Sequence, residues 1–381
     1  MVMLNGANAM DGYELRSELL SGGNRYYIQS NVVPAQRAVV SSLFHEGSLI
    51  SKQQERYDAS LSDENIRSLT KRFHEERKQR IQWLLEIRDA LKKDGDGKSH
   101  LKLGEALYKQ KLYREAMAEV IRSIKLGLED SRGYSILGNC LLSLGDREKA
   151  LKSFQKGIDL SPDYPDFHND LGRTYLQVDR CREAVESFQQ AIERNKYYHS
   201  AFLNLAVALA RNVVLKQDYE LSRGLRERMK EILEMTVQLR PALDTDAFRA
   251  AREAVDLERY EIVHEKLLGI TQDQEKLADT DLSLEIYLVL KFRADVLTEA
   301  DIDRYIERVQ AALEANPGYA DLQNDLGILY AAKCKHFIDR AHDSFRDALG
   351  INSGFKKAEK NLKLAANDRR GIHFLLRALL D

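Results

Sequence analysis

Nine histidines, three cysteines and 60 acidic residues are the groups from which hydrolytic, redox or metal chemistry could be built. Their spacing builds none. No HExxH, GxSxG or GxxxxGK[ST] stretch is present, so the usual frames for a zinc-bound water, a nucleophilic serine or a cradled phosphate are missing. "HEERK" (74–78) begins like a zinc-protease helix and lacks the second histidine. "DGDGKS" (94–99) follows no strand and has neither phosphate-loop nor calcium-loop spacing. His168, His199 and His264 are widely separated, and Cys140, Cys181 and Cys334 form no CxxC pair. These absences predict a protein that is not an enzyme and that needs no cofactor or metal.

Composition bounds the remaining possibilities. The 381 residues are 44% apolar, enough to bury a large core, and the 31% that are charged nearly cancel, at −2. That balance argues against nucleic acid as a partner. The basic run Arg77, Lys78 and Arg80 is interleaved with acids and reads as a solvated face. No stretch reaches the apolar length of a membrane span, so no membrane insertion is expected. Unpaired cysteines and no recognisable leader predict a cytoplasmic protein. Five prolines and 21 glycines in this length predict a mainly α chain.

The positioning elements come from a repeat. "NDLG" occurs at 169–172 and again at 324–327. Gly104, Gly138, Gly172 and Ala206 stand 34 residues apart, each preceded by a leucine. Ala116, Ala150 and Ala184 follow twelve residues after the small residue, and Val120, Phe154 and Phe188 sixteen after it. Each unit reads as two antiparallel helices, with small residues where they cross. Pro162 ends one unit.

These columns resemble the tetratricopeptide repeat over 97–130, 131–164 and 165–198, with a fourth unit starting at His199 and a last one at 320–355. The predicted fold is an α-α superhelix, a solenoid of helical hairpins, preceded by a small β-meander and a long linking helix. The expected segments are 1–61 (a β unit of three strands, at 25–32, 37–44 and 48–56), 62–96 (the helix, N-capped by Ser62), 97–212 (regular repeats), 213–319 (lengthened or degenerate hairpins) and 320–381 (the last repeat and C-terminal capping helices). About eleven extra residues are assigned to a long second helix in 199–243, and further ones to 273–285. Thr298 is expected to cap a helix. Residues 355–367 are read as a capping helix. Gly371 separates from it a short apolar tail that either folds back or docks a partner.

The resemblance also implies a groove lined by the first helices. Carried over residue by residue, its ligand-facing positions are Arg132, Ser135 and Asn139, then Asp166, Asn169, Arg173 and Gln177, then Leu203, Val207 and Arg211, and finally Asp321 and Asn324. Asparagine and arginine there can bond the backbone of an extended peptide. The family's two-carboxylate clamp is absent: its positions hold Leu101, Glu105, Ile136, Asp166 and Asp170, the last two with reversed charge. The position-six asparagine ladder is absent too, the column reading Lys102, Ile136, Asp170 and Asn204.

The function expected is a protein–protein interaction scaffold that binds a partner protein or peptide. The alternative is a regulatory sensor in which a ligand alters docking of the β unit. A homo-dimer through the β unit or the C-terminal tail is a further expectation. The helix at 63–93 is read as a solvated lever, because "HEERKQR" interrupts its apolar stripe.

Overall fold

The computed structural model describes residues 13–276, 282–294, 297–315 and 320–380. The chain forms two compact units, residues 1–278 and 279–381.

The first unit begins with an antiparallel meander, β1 (Glu14–Ser21), β2 (Asn24–Val33), β3 (Ala38–His45) and β4 (Ser48–Arg56), in sheet order β1-β2-β3-β4. The meander has four strands where three were expected. The additional strand, β1, turns Leu15, Ser17, Leu19 and Ser21 to one face. Two serines in that row break the apolar alternation that marks a strand. Its turn to β2 uses Gly22 and Gly23, both with positive φ, as a two-residue hairpin with right-handed strand twist requires.

The long helix α1 (Asp63–Asp94) starts at Ser62, whose side chain accepts from the Asn65 amide. It is not a solvated lever. Ile66, Thr70, His74, Arg77, Ile81 and Leu84 are buried on one stripe, and α1 packs on β1, β2 and β3. Within the polar interruption His74 and Arg77 are buried, because serines on the sheet meet them. His74 bonds Ser17 Oγ (2.8 Å) through Nε2 and Ser30 Oγ (2.9 Å) through Nδ1. Arg77, 3% exposed, donates to the Ser41 carbonyl and to Ser51 Oγ (2.7 Å). Arg77 is therefore no part of a basic surface run; buried charge persists only where such bonds compensate desolvation.

Five hairpins follow. They are α2 (Gly97–Lys109) with α3 (Tyr113–Lys125), α4 (Ser131–Ser143) with α5 (Arg147–Leu160), and α6 (Pro165–Gln177) with α7 (Cys181–Arg194). Then α8 (His199–Leu215), after the single turn α9 (Tyr219–Ser222), pairs with α10 (Leu225–Leu239), and α11 (Asp246–Asp256) pairs with α12 (Tyr260–Lys276). The extra residues of the fourth hairpin are not a longer second helix. They form α9 and a left-handed break at Gly224 (φ 59°).

Each hairpin turns on one residue with positive φ: Lys111, Gly145, Asp179, Lys216 and Glu258. Around all five the amide one residue on reaches back to the first helix, for example Arg180 N to Tyr175 O at 2.9 Å, as in a Schellman cap. Where the helices cross, a Cβ on Gly138 would lie 2.6 Å from the Phe154 ring, and one on Gly172 2.6 Å from the Phe188 ring.

The second unit contains α13 (Leu282–Phe292), α14 (Glu299–Ala315), α15 (Ala320–Ile351) and α16 (Lys356–Leu380) around Ile286, Leu290, Ile306, Leu329 and Leu376. Thr298 caps α14, accepting from the Asp301 amide (3.2 Å), while Asp301 accepts from the Thr298 amide (3.0 Å). The last repeat is not a hairpin: α15 runs unbroken for 32 residues. Cys334 stands seven residues past Gly327, where Asp179 turns the chain after Gly172, and it remains helical. Ion pairs span that point: Lys333 to Asp303 (2.5 Å) and Arg340 to Glu299 (3.0 Å) on α14, and Lys335 to Asp339 (3.1 Å) along α15. Gly327 consequently receives no aromatic ring; nothing lies within 4 Å of where its Cβ would be.

The separate cap and tail expected after 355 are one helix through Gly371, and Leu376 and Leu380 are buried in this unit's own core. The tail is thus folded back and is not a free handle. The expected proline column at Pro317 lies outside the described residues, as does part of the insertion expected at 273–285.

Gly172→Ala should lower stability by about 1–3 kcal/mol through overpacking against Phe188. Gly371→Ala, in an open helix interior, should raise it by up to about 1 kcal/mol. Denaturant titration of each variant measures both.

Candidate peptide-binding face

The first helices α2, α4, α6 and α8 pack as successive neighbours and form one layer. Because each hairpin repeats the last, a side chain on one first helix lies beside residues 31–35 positions along the chain. The polar residues of this layer bond across that step. Asn139 on α4 donates from Nδ2 to Asp170 Oδ2 on α6 at 2.9 Å, with Ser135 Oγ 3.4 Å from the same oxygen. Arg173 donates to Asp170 Oδ1 at 3.3 Å. Asn204 on α8 donates to Asn169 Oδ1 at 2.9 Å. Tyr198 donates its hydroxyl proton to Asp166 at 2.5 Å.

The expected site residues thus fall into different settings. Asn139, Asp166 and Arg173 come together around Asp170, with Arg173 29% exposed. Arg132 is open on α4, 4.0 Å from Glu105, and Gln177 is exposed at the end of α6. Asn169 is 5% exposed and belongs to the Asn169–Asn204 bond, while Arg211 is held on Asp179 at 2.9 and 3.1 Å. Leu203 and Val207 are core, 1% and 2% exposed, because α8 is covered on that side by α10 and α12. Asn324 is exposed on α15, in the second unit.

The residue that organises the cluster is Asp170, which was not among the expected contacts. Its signal was present in the sequence as the acid in the position-six column. Burial pushes the Asp170 pKa up, and Arg173 and the Asn139 amide pull against that shift. Tyr198 is also raised, by burial first and then by Asp166. Burial likewise raises Tyr108 on α2, with Asp170 adding to it. The face therefore offers a fixed amide, a guanidinium and carboxylates beside phenol rings: groups that bind and orient, with no activated nucleophile among them. Burial pushes the Cys140 thiol up to about 12 and the Cys181 thiol up to about 11, which keeps both protonated and inert. Cys334 is exposed. Among the described residues no group of His, Cys, Asp and Glu could hold a metal ion, and no helix is long and apolar enough to cross a membrane.

With its folded pKa raised above the unfolded value, Asp170 contributes stability that is fully present below the unfolded pKa. It is lost as pH rises through the folded pKa. Asp170→Asn carries no such dependence. The stability of wild type relative to Asp170→Asn, from denaturant titrations, should fall as pH rises above the ordinary aspartate range.

Two family models match the chain: "TPR repeat" over residues 138–179 and "Tetratricopeptide repeat" over 169–224. It is similar to the tetratricopeptide repeat-containing protein trd-1 of Caenorhabditis elegans, 23% identical over 242 residues, covering 60% of this chain and 31% of that protein. It is also similar to Hsp70-Hsp90 organizing protein 1 of Glycine max, 26% identical over 92 residues, covering 24% and 16%. The chain thus spans about a third or less of the length of these curated relatives. Among solved structures, MamA of Desulfovibrio magneticus RS-1 aligns with a TM-score of 0.37 and 17% identity, covering 49% of this chain and all of that one. A thermophilic tetratricopeptide-repeat protein of Thermus thermophilus, TTC0263, aligns at 0.33 and 18%, covering 61% and 98%. The 34-residue columns, the hairpins they build and the two family matches agree: residues 138–224 carry tetratricopeptide repeats.

Proposed function

We propose that this chain is a non-enzymatic scaffold that holds an extended segment of a partner protein against the first-helix face of α4 and α6. The observation that carries the proposal is the Asn139–Asp170–Arg173 cluster. It fixes a side-chain amide and a guanidinium before any ligand arrives, which lowers the ordering cost of binding. Arg132 and Gln177 extend the same face on either side, and Asp166 lies within it.

The soybean relative is named for two chaperones. Here acids stand at Asp166 and Asp170 in place of the clamp's bases, so a carboxylate tail gains nothing at those two positions. We therefore expect a partner of different chemistry. The cytoplasm is the compartment we infer, supported by the unpaired Cys140, Cys181 and Cys334.

The alternative, ligand-controlled docking of the β unit, has to open a buried joint. Tyr26 of β2 donates to Glu115 Oε1 at 2.9 Å, and Arg88 of α1 donates to Glu119 Oε1 at 3.2 Å. Breaking such pairs strands charge away from water, which favours the scaffold reading.

Crosslinking mass spectrometry on complexes captured from the source cell tests the proposal. Partner crosslinks should fall within 132–177, and a variant carrying Asn139→Ala and Arg173→Glu should weaken binding at least about tenfold, the loss of one charged hydrogen bond. Crosslinks confined to 13–56 that survive the double substitution would move recognition to the sheet.

A further inference from the structure

The outward side of α16 carries an excess of positive charge. From Lys356 to Leu380 the helix has seven lysines and arginines against two acids, in a chain whose net charge is −2. Glu359 is taken by Lys363 at 2.7 Å, and Arg369 turns away to Asp339 on α15 at 2.7 Å. Lys356, Lys357, Lys360 and Arg370 are exposed, and among the described residues no acid stands within ion-pair distance of them.

Apolar side chains stand among these cations. Lys356, Lys360, Lys363, Arg370 and Phe374 follow one another at spacings of 4, 3, 7 and 4 and share one side of the helix. Leu364 and Leu375, eleven residues apart, lie on the strip beside it. Phe374 is 66% exposed, Leu364 54% and Leu375 48%. Asp368 is at the rim of this side. The opposite side holds Ala358, Ala365, Leu376 and Leu380, all buried, the two leucines in the unit's own core. The helix therefore cannot roll to cover its ring or to pair its lysines.

The two kinds of group ask for different surroundings. Unpaired ammonium and guanidinium groups attract anions, whereas Phe374 and Leu364 escape water only against hydrocarbon. A dissolved polyanion meets the first need and leaves the second. An anionic bilayer meets both in layers, with phosphates and carboxylates above acyl chains, and lysine stems are long enough to keep their charge at the upper level. From this complementarity we infer that α16 docks the chain on anionic membrane surfaces, its cations at the headgroups and Phe374, Leu364 and Leu375 in the acyl boundary. The helix lies in the plane of the surface; none of the described helices is long and apolar enough to span it. The docking is independent of the first-helix face.

Sedimentation of the full chain with vesicles, of phosphatidylcholine alone or with about 30% phosphatidylserine, provides the test. The chain should pellet only with the phosphatidylserine vesicles, and less so as added salt screens the charges. Lys356→Glu with Lys360→Glu should weaken binding at least about tenfold. The same reversal at Lys152 and Lys156, exposed cations on α5, should leave it unchanged. Phe374→Ser with Leu364→Ser should also weaken it at least about tenfold. Circular dichroism verifies that each variant is folded. A wild type that stays in solution, or binding indifferent to phosphatidylserine or to the reversals at 356 and 360, would overturn the inference. So would binding that survives the loss of Phe374 and Leu364; soluble poly-glutamate would then bind as well as the vesicles, and the partner would be an acidic macromolecule.

Discussion

Two phenyl rings resting on bare backbone hold the repeat region together. Phe154 and Phe188 close on Gly138 and Gly172, where no Cβ could fit without displacing them. That approach sets how near the two helices of a hairpin come. The spacing between successive hairpins follows from it, and so does the distance across which one first helix reaches the next. Asn139 meets Asp170, and Asn204 meets Asn169, because the rings fixed the step. In the first hairpin Val120 does the same work at Gly104, its Cγ2 2.7 Å from the place a Cβ would take. The candidate binding face is a consequence of this packing and has no scaffold of its own.

At the N-terminal end a different solution closes the repeats. The sheet and α1 meet through serines, His74 and Arg77, and the sheet reaches the first hairpin through Tyr26 and Glu115. Polar groups buried this way are demanding: each must be bonded, and the geometry that bonds them admits few alternatives. Burial lowers the His74 pKa and favours the neutral ring, the form that gives one nitrogen to each of its two serines as donor or acceptor. The joint is specific for the reason that an apolar one would be permissive.

Much of this was legible in the sequence where side-chain volume decides the outcome. The glycine and phenylalanine columns gave the hairpins from 97 to 212, and Ser62 and Thr298 announced their helix starts through capping chemistry that acts over three residues. Reading failed where long-range polar pairing decides. The strand β1 was hidden because its inward row contains Ser17 and Ser21, whose partners lie far along the chain. "HEERKQR" looked solvated because nothing in the local sequence says that serines on a sheet will receive it. The second "NDLG" predicted a hairpin from a motif that describes only the first helix. Whether the chain turns afterwards is not written in that motif, and α15 continues as one helix. In the first-helix layer, the resemblance placed Asn139 and Arg173 among the groove-facing positions. Only the structure shows that Asn169 and Arg211 are engaged with neighbouring repeats.

The hairpin turns have a consequence for how this protein can change over time. Four of the five residues in the left-handed conformation, Lys111, Asp179, Lys216 and Glu258, carry a side chain where glycine alone is free of steric penalty. Each such turn costs of the order of 1 kcal/mol relative to glycine, so the solenoid lies well below the stability its own architecture permits. Single substitutions at any of the four sites are one route to a sturdier chain with the same surfaces. That the chain leaves this route unused fits a protein held just above the threshold its task requires. A glycine gained at one of these turns would give the binding face room to absorb a destabilising change without losing the fold that presents it.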